Sequence, residues 1–172
     1  GDRLTLTAYK GRDVIDLTSL DLKDFPLRID WDWGNDAVGA RWTHPRRGGG
    51  SLDVRANFSR FGTGLTFPDF ADTRLSSRIQ QGQFKADLDL HPSARVSIQM
   101  GASAEGLSYK NLFSTGGTEF ASGTGNGWLL GTYVQTRWSA PGAWLVELGL
   151  RADGYSPDPG GWVQEIAPRL AV

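Results

Sequence analysis

Cysteine is absent from this chain of 172 residues, and histidine and methionine are nearly so, at two and one. A disulfide scaffold, a thiolate metal site and a cysteine nucleophile are therefore excluded. Long apolar runs are also missing. The longest patches, such as Trp128-Leu129-Leu130 and Ala143-Trp144-Leu145-Val146, fall far short of the roughly 18 residues of a membrane-crossing helix. Charge of neither sign prevails: 18 basic and 19 acidic residues are intermixed, for a net charge of -1. Without a basic block or stripe there is no nucleic-acid footprint, so no nucleic-acid partner is expected. Helical periodicity is missing almost everywhere.

What is there is period-two alternation, with 23 Gly, 7 Trp and 8 Phe. Trp144, Val146, Leu148, Leu150 and Ala152 fall on one face of a strand, while Glu147, Gly149, Arg151, Asp153 and Tyr155 fall on the other. The preceding segment repeats the pattern. Trp128, Leu130, Thr132, Val134, Thr136 and Trp138 oppose Gly131, Tyr133, Gln135 and Arg137, and Ser139-Ala140-Pro141-Gly142 joins the two as a tight turn. Phe84 to Leu90, Val96 to Ala104, Val38 to Trp42, Leu52 to Phe58 and Leu4 to Ala8 alternate likewise, and a last strand begins near Val163.

The count is about eight strands. Connections at 45–50, 91–94 and 139–142 are short, while those at 10–36, 61–71, 110–127 and 156–162 are long and rich in Gly, Asp, Thr and Phe. Short turns on one side and long loops on the other describe an antiparallel up-and-down transmembrane β-barrel wall, and tilted spans of about 9–11 residues suit a bilayer. Leu27, Ile29, Trp31 and Trp33 alternate with Arg28, Asp30 and Asp32. They read as an extracellular extension of the second strand, kinked at Gly34.

A soluble β-sandwich also alternates, but one-sided loop lengths and a charged face rich in Gly, Ser and Gln favour a wall with a lumen. Trp42, Trp138 and Trp144 share the apolar parity beside short turns, and Trp128 fits the far end; together they form a candidate aromatic girdle. Tyr9, Phe61, Tyr109 and Tyr155 break this scheme by sitting on the charged parity near the long loops. Either a bulge shifts parity there, or they pack inside the mouth.

The lumen-facing candidates are Arg55, Lys85, Asp87, Asp89, Glu105, Arg137, Glu147, Arg151 and Asp153. They line a ligand path, or simply pair across strands. Phe67, Phe70, Phe113, Phe120 and Trp162 are candidate ligand contacts in extracellular loops, or loop packing. His44 and His91 each lie beside a Pro with nothing at metal spacing, so no metal and no cofactor are expected. Asp69-Phe70-Ala71-Asp72 reads as a solvated loop rather than a carboxylate pair. Gly116-Gly117 and Gly123-Thr124-Gly125-Asn126-Gly127 lack the helix and the Lys-Ser/Thr ending of a phosphate cradle, and read as flexible loop. No catalytic arrangement presents itself.

Several segments carry a resemblance. Asp2 to Asp13 is similar to an ascending strand of TonB-dependent outer-membrane receptors, and Trp33-Gly34-Asn35 followed by Arg41-Trp42-Thr43-His44 resembles a pairing common there. Tyr133-Val134-Gln135-Thr136-Arg137-Trp138 resembles a recurrent strand end of that family. Leu148 to Tyr155 followed by Ile166 to Val172 resembles its "LGLRxDxY … PRLA" pair. The resemblance implies a segment of a larger, 22-stranded barrel importing a siderophore, vitamin or carbohydrate, with outer-membrane lipid, a plug domain, a TonB complex and a small-molecule ligand as partners. Residues 1–172 contain no plug and no TonB box, and both ends read as cuts, Val172 stopping mid-strand. The alternative is a self-contained eight-stranded barrel with a structural or adhesive role; a barrel enzyme is a third reading.

Overall fold

The computed structural model describes residues 1–17, 28–139, 144–157 and 160–171. The turn expected at 140–142, and the expectations for Leu27 and Val172, lie outside them. The chain is a single antiparallel sheet of eight strands: β1 (Arg3–Asp16), β2 (Asp30–Pro45), β3 (Gly50–Phe67), β4 (Thr73–Ser93), β5 (Val96–Thr115), β6 (Thr118–Ser139), β7 (Leu145–Pro157) and β8 (Val163–Ala171). Every strand pairs only with its sequence neighbours, in the order β1 to β8. β1 and β8 are the two edges, and among the described residues no ladder joins them, as a self-contained eight-stranded barrel would require.

Register follows from alternation, because a slip of one residue would turn every side chain to the wrong face. Leu4, Trp42, Val54, Ala86, Ala102, Thr132, Ala152 and Ile166 are successive partners across all eight strands. One step along, Thr5, Arg41, Arg55, Lys85, Ser103, Gly131, Asp153 and Glu165 form the opposing row. Among the described residues, shifts of register occur only between Leu90 and Ser93 and between Phe113 and Ser114.

There is no buried hydrophobic core among the described residues. A compact monomer of this mass would expose about 8,300 Å², whereas the sheet exposes 12066 Å². A sheet this open is stable only if something else covers its apolar face. Trp128 and Trp138 stand ten positions apart on β6. That spacing is about 33 Å along the strand and about 23 Å in height at a tilt of ~45°, close to the apolar band of an outer-membrane barrel.

The strands correct the expected loops. β3 to β6 contain 18, 21, 20 and 22 residues, about twice a membrane span, so most of 61–71 and 110–127 is strand. The β3–β4 connection is Pro68 to Asp72, and the β5–β6 connection is Gly116-Gly117 alone. These two glycines have φ of 56° and 77°, the pair of positive values that a two-residue hairpin requires. Gly123 to Gly127 is not flexible loop but the outer part of β6, paired with Leu107 to Asn111. The extension of β2 exists as expected, yet its ladders pass through Gly34 without a shift of register.

Candidate functional site

Within the band, the charged face is a network. Asp53 and Glu147 are its buried members, at 7% and 8% exposure. Asp53 accepts hydrogen bonds from Arg41 Nε at 2.6 Å, from Thr43 Oγ1 at 2.8 Å, and from Arg55. Glu147 accepts one from Arg137 Nε at 2.6 Å, its direct partner across the β6–β7 ladder, with Arg169 at 3.9 Å. Tyr133 donates to Asp87 Oδ1 at 2.8 Å, and Lys85 lies 3.3 Å from Asp87. Glu105 accepts from Gln81 and Gln83 at 2.9 and 3.1 Å, and Arg151 donates to Asp153 at 2.6 and 3.0 Å. Asp89 Oδ1 is buried without a hydrogen-bond partner, and the His91 ring lies 3.9 Å away.

All nine lumen-facing candidates share this face, and eight of them hold a partner through hydrogen bonds or a close ion pair. Arg137–Glu147 pairs across strands as cross-strand spacing permits, whereas Arg151–Asp153 and Lys85–Asp87 pair along one strand. The sequence reading left out Arg41, Asp53 and Tyr133, although Asp53 anchors the densest cluster. Its parity was visible; its burial, which depends on two arginines converging from adjacent strands, was not.

Beyond the band, the two faces exchange character. On the lumen side, Ile15, Trp31, Leu65, Leu75, Phe113 and Ala121 are successive partners in one wholly apolar row. All but Ile15 line an open groove of ≈ 460 Å³ together with Thr63 and Asn111. Trp31 donates from Nε1 to Thr63 Oγ1 at 3.0 Å, and its ring centroid lies 4.9 Å from that of Trp33. Nearer the band, Tyr109 lies over Gly125, and Tyr155 comes within van der Waals reach of Gly127. No shift of register intervenes, so the four discordant aromatics face inward: there is no bulge to carry them outward.

The candidate loop aromatics divide. Phe67 ends β3 on the lumen parity and meets Phe70 edge-on at 6.5 Å. Phe113 and Phe120 belong to strands β5 and β6, not to a loop, with ring centroids 6.1 Å apart. Trp162 lies in the β7–β8 connection, as expected, with its ring over Gly154 on the apolar face. Trp42 and Trp138 keep the apolar parity, Trp144 lies just before β7, and Trp42 donates from Nε1 to Asp2 at 3.1 Å.

The remaining candidates have structural partners. His44 Nδ1 lies 2.6 Å from Asp2, and no group of metal-ligating side chains occurs among the described residues. Asp69 accepts from the Arg28 backbone at 2.9 Å and from its guanidinium at 2.8 and 2.6 Å. The carboxyl is held below its ordinary value, first by the side-chain hydrogen bond and then by the backbone one.

No known protein family matches the chain by sequence, and no curated protein does. Solved structures match by shape. The ferripyoverdine receptor of the outer membrane of Pseudomonas aeruginosa, bound to ferripyoverdine, superposes with a TM-score of 0.62 at 13% identity, over 97% of this chain and 33% of the receptor. The complex of FpvAI with pyocin S2 gives 0.60 at 13% identity, over 98% and 33%. The fold matches part of the β-barrel of these two structures. The chain spans about a third of the length of the receptors it matches, and its described strands form an all-β antiparallel up-and-down sheet.

Proposed function

We propose that this chain is part of the barrel wall of a TonB-dependent receptor in the bacterial outer membrane, one that imports a scarce small molecule. The observation carrying the reading is the lumen face, charged within the band and apolar at the mouth. The charged network there suits contact with a hydrated plug domain, and Asp89, with one oxygen unsatisfied, is the residue to which a plug would bring a donor. The groove of Trp31, Leu65, Leu75 and Phe113 suits a ligand with a flat apolar part. A ferric siderophore has that character, and a receptor of like fold carries one. The chemistry is binding and gated passage, with no bond made or broken by this chain.

The test is uptake by cells expressing the full-length protein, with ferripyoverdine, cobalamin and a maltooligosaccharide as separate probes. Import of one of them that stops when TonB is deleted is the expected result. Import of none, or import indifferent to TonB, overturns the reading. For the probe that is imported, Trp31→Ala with Phe113→Ala weakens binding by about tenfold, or about 1.4 kcal/mol, read by calorimetry on the purified protein.

A further inference from the structure

The outer face above the band is not inert. Just past the row of Val38, Phe58 and Trp128, the parity that faces lipid turns basic. Lys10 and Arg60 stand two residues farther along their strands, and Arg12, Arg78 and Lys110 share the next row, with Arg74 beyond. These six cations surround an open basin of ≈ 460 Å³ floored by Gly34, Gly62 and Gly64.

Asp32 and Asp36 are the only carboxylates lining it. Asp32 lies 3.6 Å from Arg12 and 3.9 Å from Arg74, and Asp36 lies 3.8 Å from Arg60. Lys10, Arg78 and Lys110 have no carboxylate within ion-pair distance among the described residues. Six cations against two anions leave four positive charges in excess, in a chain whose net charge is -1. The glycine floor matters: a Cβ on Gly64 would stand 2.9 Å from Arg74 Nη2 and 3.0 Å from Asp32 Oδ1, so side chains there would fill the basin and displace its rim.

We infer that this basin binds the phosphate of an anionic lipid whose acyl chains lie down the apolar band. Position selects the occupant. Headgroups lie immediately beyond hydrocarbon, and the cations begin one pleat past the last apolar row. Chemistry agrees, since guanidinium forks match phosphate oxygens and lysine adds a point charge. A carboxylate-bearing soluble ligand has no reason to choose a face turned away from the lumen. The inference rests on the barrel-wall reading and goes beyond it, because nothing in import requires this face to be basic.

The experiment reconstitutes the full-length protein in nanodiscs of phosphatidylcholine containing phosphatidylglycerol, and counts retained lipids by native mass spectrometry. Arg78→Ser with Lys110→Ser, which breaks none of the ion pairs above, should lower phosphatidylglycerol retention at least fivefold and leave phosphatidylcholine unchanged. Asp36→Asn should raise it, which keeps the test decisive if the double variant misfolds. Equal retention in the wild type and both variants overturns the inference. Displacement of the lipid by millimolar inorganic phosphate also overturns it, because the basin would then be a free-anion site. Heat-modifiable migration and lumenal ligand binding, measured on the same variants, separate a failure of this inference from a failure of the barrel-wall reading.

Discussion

Asp53 shows how a charge is tolerated inside the wall. Its carboxylate is nearly removed from water, yet it keeps three donors from two strands, and burial without such partners would cost several kcal/mol. Asp53→Ala strands two guanidinium groups beside each other and should destabilise the barrel by about 2 kcal/mol. Adding Arg41→Gln should recover part of that loss, and a double-mutant cycle from denaturant unfolding in lipid vesicles measures it. Arg28 and Asp69 illustrate the exposed counterpart. Asp69 is depressed in the folded protein, so its contribution is present above the unfolded value of about 3.9 and is lost as pH falls through the lower folded value. The tie therefore persists through mild acid. A carboxyl titration followed by NMR should show the Asp69 midpoint rising in Arg28→Gln; an unmoved midpoint would mean the tie does not form.

At the scale of the strand, each residue's neighbour along the chain faces a different solvent. Met100 and Gln99 are adjacent on β5, one on the apolar row with Leu88 and Val134, the other among lumen polars. Met100→Arg, near the middle of the band, should cost about 2–4 kcal/mol. Gln99→Arg should be close to neutral, and Trp138→Arg, near the interface, should cost about 1 kcal/mol or less. The same vesicle unfolding assay ranks the three; equal costs at Met100 and Gln99 would sink the assignment of faces. Turns obey a different constraint. Gly48, Gly49 and Gly50 all have φ near +90°, but a Cβ on Gly50 would lie 2.0 Å from the Asp89 carbonyl oxygen, while Gly48 meets nothing. Gly50→Ala should therefore impair assembly, read as the yield of heat-modifiable protein, well beyond the effect of Gly48→Ala.

Across the whole molecule, the part of the fold that we propose lies in the membrane was legible because apolar and polar surroundings impose opposite polarity on alternate residues. The pattern from Trp144 to Ala152 states this outright. Beyond the bilayer both faces meet water, so the contrast that marks a strand fades. Lys10, Arg12, Arg60 and Arg78 then look like loop polarity, although Phe61, Ile79 and Tyr109 still alternate with them. The strands there were hidden by a change of surroundings rather than by any weakness of pairing. The same change concealed the apolar row at Trp31: its members are scattered over six strands and become neighbours only through register. Individual lumen charges could be named from parity, but their partners could not, since pairing along a strand or across it depends on side-chain reach.

The meander has one more consequence. Because each strand is bonded only to the strands before and after it in sequence, the contacts are sequential, and a hairpin is a self-sufficient increment. Growth can proceed like a zipper, each new hairpin templated on the last without waiting for a distant segment to return. Evolution can lengthen or shorten such a wall in units of two strands, altering its circumference while leaving every existing rung in place. A circle assembled this way is set by how many times a simple module is repeated.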